Sequence, residues 1–144
     1  MYKRILVPLE NGAADDAILA HVRDLAKLLG SQVLLFHVAD GWAARNMEQL
    51  NLRESQEIKE DRAYLERRSQ ELRQAGIDAD ALLAAGDPAK EIAAAAEREK
   101  VDLIAMATHG HSLLGDVVHG TTATALRHVS RIPILMVRVP AQAP

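Results

Sequence analysis

The stretch ADALLAAGDPAKEIAAAAEREKVDLIAMATHG, residues 79–110, carries a strand, a helix and a second strand in one run. Its opening, ADALLAAG (79–86), is a short apolar segment that stops at a glycine, the pattern of a buried strand. Asp87 then supplies an N-cap, and Pro88 stands at the first helical position, where its missing N–H costs nothing, so a helix starts there. VDLIAMAT (101–108) is again mostly apolar and reads as a strand.

The same alternation extends outward in both directions. RILVPL (4–9) is a buried strand ending at Pro8 and the turn-like ENG. Ile18, Val22, Leu25 and Leu29 then repeat at helical spacing, with Asp15 and Asp16 near the start and Gly30 as the stop. QVLLFHV (32–38) is the next strand, and residues 39–50, with Asp40, Gly41 and Trp42, have no period and read as a loop. The charged segment 51–75 shows only a narrow stripe of Ile58, Leu65 and Leu72, which predicts a largely solvated surface helix. Its seven-residue spacing is too short for a coiled coil, and Ser69 interrupts it. Beyond residue 110, TATALRHVS is a short helix, PILMVRV (133–139) a last strand and PAQAP a loose tail.

Strands and helices alternating through five strands predict one α/β domain over residues 1–144. It is a doubly wound, Rossmann-like fold: a five-stranded parallel sheet with helices on both faces. Aromatic residues make up only 3% of the chain, so the core must be filled by Ala, Leu, Ile and Val, the usual packing between helices and a parallel sheet. Ligands of such sheets bind beyond the carboxyl ends of the strands where the strand order reverses, which directs attention to PLEN and ATHG.

Composition narrows the function. A net charge of −3, with Lys and Arg interspersed among Asp and Glu, provides no field for a phosphate polymer, so no nucleic-acid partner is expected. The absence of cysteine excludes disulfides, thiolate metal ligands and a cysteine nucleophile. No apolar run approaches the roughly 18 residues of a membrane helix, and ILVPL is too short for a signal-peptide core. A soluble, cytoplasmic protein with no membrane partner is the expectation.

The run MATHGHSLLGDVVHGTT (106–122) has the glycines, hydroxyls and histidines of a ligand loop. Between a strand and a helix, such a loop can aim backbone N–H groups and a helix start at one anion. It nearly fits the phosphate-binding pattern G-x-x-x-x-G-K-[ST] in two frames, but Asp116 and Thr121 stand where the lysine should be. Nucleoside-triphosphate hydrolysis of that kind is therefore not expected. Spacing alone leaves open whether the glycines cradle an anion or only solve turn geometry. Ser112 in GHSLL lacks the second glycine of a hydrolase nucleophile elbow, because Leu114 occupies that position. His109, His111 and His119 have no fourth ligand at an obvious spacing, although Asp116 is near, and read as surface histidines rather than a metal site. His21, His37 and His128 fall within elements and read as packing or surface residues. Glu10 follows the first strand, where a carboxylate either accepts ribose hydroxyls, meets a nucleotide-bound metal ion or is simply solvated.

The loop resembles that of the universal stress protein family, whose nucleotide-binding members carry G-x2-G-x9-G-[ST] after the fourth strand. Gly110, nine intervening residues, Gly120 and Thr121 match it, and RILVPLEN, VLLFHV, GDPAKEI and RIPILMVR extend the resemblance over nearly the whole chain. Ala107 replaces the first glycine of the pattern, and Glu10 replaces the usual aspartate after the first strand. The resemblance implies that Gly120, Thr121 and Thr122 receive phosphates, that Gly110 and Ala107 line the ribose and α-phosphate, and that Pro8, Leu9, Glu10 and Val38 border the adenosine. It also implies ATP or a related adenine nucleotide as ligand, with or without magnesium, and a homodimer through the C-terminal strand.

The expected function is thus a regulator that signals its nucleotide state to a protein partner the sequence does not name, with no catalytic residues and no structural metal. No general base or arginine finger is placed for hydrolysis. The alternative is a dimeric interaction module of the same fold that binds no nucleotide.

Overall fold

The computed structural model describes residues 1–40, 51–109 and 122–139. The greater part of the glycine-rich run, Gly41 and Trp42, and the PAQAP tail lie outside them. In chain order the elements are β1 (Arg4–Pro8), α1 (Ala14–Leu29), β2 (Gln32–Asp40), α2 (Asn51–Gln74), β3 (Ala79–Gly86), α3 (Pro88–Arg98), β4 (Leu103–His109), α4 (residues 122–129) and β5 (Ile134–Val139).

All five strands are parallel, in the order β3-β2-β1-β4-β5. Alternation along each strand explains why the sequence shows unbroken apolar runs. Ile5 and Val7 of β1, Val33 and Leu35 of β2, and Leu103 and Ala105 of β4 face one layer, with Ile18 and Val22 of α1 and Leu65 and Leu72 of α2. Leu6, Leu34, Phe36, Ile104 and Met106 face the other, with Ile92 and Ala95 of α3 and Leu126 of α4. Both faces of the sheet are covered, so neither parity of position can be polar.

Local rules hold where the sequence states them. Asp87 caps α3, accepting the Lys90 N–H at 3.1 Å, with Pro88 next to it. Gly30 ends α1 in the left-handed conformation, φ 70°.

Four expectations shift. Leu29 belongs to the helical stripe by spacing but is exposed, and Ala26 packs instead. Ala39 and Asp40 continue β2, pairing with Ala85 and Gly86, rather than opening a loop. β4 begins at Leu103, because Val101 closes the turn after α3 by donating to Ala96 O at 2.8 Å. α2 is more than a surface stripe: Tyr64, Leu65, Ser69 and Leu72 are buried, while Ile58 is only half-buried. Ser69, which breaks the apolar heptad, sits fully enclosed and donates to Glu66 O at 3.1 Å. Its small hydroxyl is satisfied within the helix, so it fits against the sheet without an unpaired polar group.

Candidate functional site

β1 and β4 are neighbours in the sheet, yet β1 leads through α1 to β2 on one face while β3 reaches β4 through α3 on the other. The connections diverge at the carboxyl ends of these two strands and leave a crevice between them. A cavity of about 180 Å³ occupies it.

Its floor is apolar. Phe36 and Val38, alternate residues of β2, and Met106 of β4 contribute to it from either side of β1, together with Pro88 and Ile92 of α3. Pro8, Leu9 and Glu10 form the β1 rim, Ala14 and Asp15 the start of α1, and Ala107 and Thr122 the β4 side. Six residues expected at the site from distant parts of the chain, Pro8, Leu9, Glu10, Val38, Ala107 and Thr122, therefore line one cavity. Gly110, Gly120 and Thr121 lie outside the described residues.

The β1 rim is organised by a carboxylate that the sequence suggested only as a helix-start acid. Asp15 is 2% exposed. It accepts the N–H groups of Glu10 at 3.1 Å, Asn11 at 2.9 Å and Gly12 at 3.3 Å, and the Tyr64 hydroxyl at 2.6 Å. Burial and the bond to Asp15 push the Tyr64 phenol well above its ordinary value, so it remains a donor. Three backbone donors of the rim are thus turned inward to Asp15, which fixes the path of residues 10–12 beside the cavity. Asn11 takes a left-handed backbone angle, φ 60°, which asparagine tolerates better than most residues.

His37 underlies the same rim. Its Nδ1 donates to Leu9 O at 2.7 Å, and its Nε2 lies 3.3 Å from Asp61 Oδ2. Among the described residues, no three His, Cys, Asp or Glu side chains converge as metal ligands. His109 lies at the end of β4, and the other two loop histidines fall outside the described residues. Among the described residues, the titratable groups lining the cavity are two carboxylates, Glu10 and Asp15. Such a surface suits recognition of an apolar group, with Thr122 of α4 on the β4 side of the cavity.

The model of the universal stress protein family matches residues 1–138. This chain belongs to that family. It is 28% identical to universal stress protein MJ0577 of Methanocaldococcus jannaschii, over 96% of each chain. The solved structure of MJ0577 superposes with a TM-score of 0.83 over 99% of both chains, at 29% identity. Two more distant members share the fold. A universal stress protein of Archaeoglobus fulgidus in complex with dAMP has a TM-score of 0.70 at 17% identity, covering 94% of this chain and 98% of its own. A universal stress protein in complex with cAMP has a TM-score of 0.69 at 15% identity, covering 95% of this chain and 97% of its own.

The sequence did not disclose Phe36, Met106, Pro88, Ile92 or Asp15 as cavity residues. A signal existed for Phe36, which shares strand parity with Val38, and for Pro88, whose N-cap neighbour places it at a strand-to-helix turn.

Proposed function

We propose that this universal stress protein is a regulator that binds ATP or a related adenine nucleotide in the cavity between β1 and β4, as a homodimer paired through β5. The observation that carries this reading is the convergence of Pro8, Leu9, Glu10, Val38, Ala107 and Thr122 on one cavity at the sheet's switch point. The dAMP and cAMP complexes of family members support the ligand class.

The chemistry of the lining fits the parts of the nucleotide. An adenine ring packs on Phe36, Val38, Ile92 and Met106, and the ribose faces the β1 rim at Leu9 and Glu10. The phosphates lie toward Gly110, Gly120, Thr121 and Thr122, where the positive end of α4 faces them. Glu10 is the rim carboxylate that would meet a nucleotide-bound magnesium ion. The protein acts as a cytoplasmic sensor without catalysis, and its bound state is passed to a protein partner. The second reading, an interaction module with no nucleotide, is favoured by Ala107, which adds a methyl where the pattern has glycine.

Calorimetric titration of ATP into the parent, Gly120→Val and Thr121→Ala tests this. Gly120→Val removes close approach of phosphate to two N–H donors. At about 1.5–3 kcal/mol each, their loss weakens binding by about two to four orders of magnitude. Thr121→Ala loses one hydroxyl and weakens it less. Equal affinity of the parent and a folded Gly120→Val sinks the phosphate placement. No heat with the parent, and no nucleotide released on denaturation by mass spectrometry, favours the interaction module.

A further inference from the structure

Two side chains of α2 reach across to the β1–α1 rim. Asp61 and Tyr64 are three positions apart and so share one side of the helix. Tyr64 donates to Asp15 at 2.6 Å, and Asp15 holds the N–H groups of Glu10, Asn11 and Gly12. Asp61 receives the Asn11 side-chain amide at 3.4 Å and faces His37, whose other nitrogen donates to Leu9 O. Residues 9–12 are therefore tied to α2 at both ends of the rim, once through a carboxylate and once through an imidazole. The Tyr64 bond is short, charge-assisted and shielded, since the tyrosine is only 9% exposed. Among the described residues, those lining the cavity include none of α2, which reaches it through Asp15.

We infer that Tyr64 and Asp61 are positioning residues for the cavity rim, and that the rim and the middle of α2 move as one unit that registers what the cavity holds. The second clause rests on the nucleotide reading of the cavity. Any ligand that presses on Leu9 or Glu10 displaces groups bonded to Asp15 and His37, and these carry the displacement to α2. The helix's outward side then reports occupancy at the protein surface without touching the ligand.

The test is amide hydrogen exchange on the parent and on Tyr64→Phe/Asp61→Leu, a pair that keeps the branching of each side chain and leaves neither residue a hydrogen-bonding group for its link. Without nucleotide, the variant is expected to exchange at least about tenfold faster in residues 10–12 and 58–66 together, with amides of β1 and β4 unchanged. A general acceleration including β1 and β4, or no change in residues 10–12, overturns the inference. With ATP at a concentration that saturates the parent by calorimetry, residues 58–66 slow in the parent, whereas in the variant only the rim slows. An equal α2 response in both proteins, or none in the parent, overturns it. If ATP does not bind the parent at all, the nucleotide reading fails, and the exchange without nucleotide decides the positioning role by itself.

Discussion

Lys100 ends α3 in the backbone conformation that Gly30 adopts at the end of α1: φ is 57° at the lysine and 70° at the glycine. The hydrogen bonds match as well. Val101 donates to Ala96 O at 2.8 Å, and Ser31 donates to Ala26 O at 3.0 Å. Gly76 closes α2 in the same way, with Ile77 donating to Leu72 O at 3.0 Å. Three helices share one stop, and in α3 alone it is built on a residue with a Cβ.

Lys100→Gly should therefore stabilise the protein. Relief of left-handed strain, roughly 1–2 kcal/mol, exceeds the added freedom of glycine in the unfolded chain and leaves about 0.5–1 kcal/mol. Urea unfolding should show a higher midpoint with an unchanged slope. A lower midpoint would mean that the lysine side chain supplies more than its backbone costs.

Gly86→Ala should have the opposite effect. The residue has φ 135°, and an added Cβ would lie 2.9 Å from Glu91 Oε1. A loss of about 1–3 kcal/mol is expected. Adding Glu91→Ala should restore only part of it, because the contact is relieved and the backbone angle is not. Thermal unfolding of both variants separates the two contributions.

Asp102 accepts the N–H groups of Lys3 at 2.9 Å and Arg4 at 3.0 Å, tying the start of β1 to the start of β4. Partial burial pushes its carboxyl up, but those backbone hydrogen bonds outweigh it and hold the group below the ordinary 3.8. Its stabilisation is thus complete above 3.8 and disappears as pH falls through the lower folded value. Asp102→Ala should cost on the order of 1 kcal/mol at neutral pH, the modest figure reflecting partial exposure. The gap between parent and variant should close below the ordinary carboxylate value in an acid titration of urea stability, and a gap independent of pH would show that the charge is not involved.

β5 lies at a sheet edge, and Met136 on it is 41% exposed. In the proposed dimer this strand pairs with its counterpart, so Met136→Lys should convert dimer to monomer in sedimentation equilibrium at micromolar concentration. A monomeric parent, or a dimer insensitive to the lysine, would remove β5 as the interface.

Much of this architecture was legible because it rests on short-range rules. Asp87-Pro88 starts a helix and Gly30 stops one wherever they occur, and fully apolar strands imply a sheet covered on both sides. What escaped was of longer range. The charged run 51–75 conceals a buried side because Ser69 and Tyr64 satisfy their polar groups locally or across to Asp15, and neither registers as hydrophobic in a periodicity count.

The sequence by itself determined the elements, their alternation, the parallel sheet and the family, because each depends on neighbouring residues or on a motif of fixed spacing. Only the tertiary structure decided that Phe36, Ile92 and Met106 share a cavity with Leu9, and that Asp15 turns the rim's donors inward under Tyr64. Those relations join residues up to 97 positions apart in the chain, as between Leu9 and Met106, and they exist only once the strand order has set β1 between β2 and β4. A carboxylate at the start of α1 looks the same in sequence whether it meets water or the hydroxyl of a tyrosine 49 residues later.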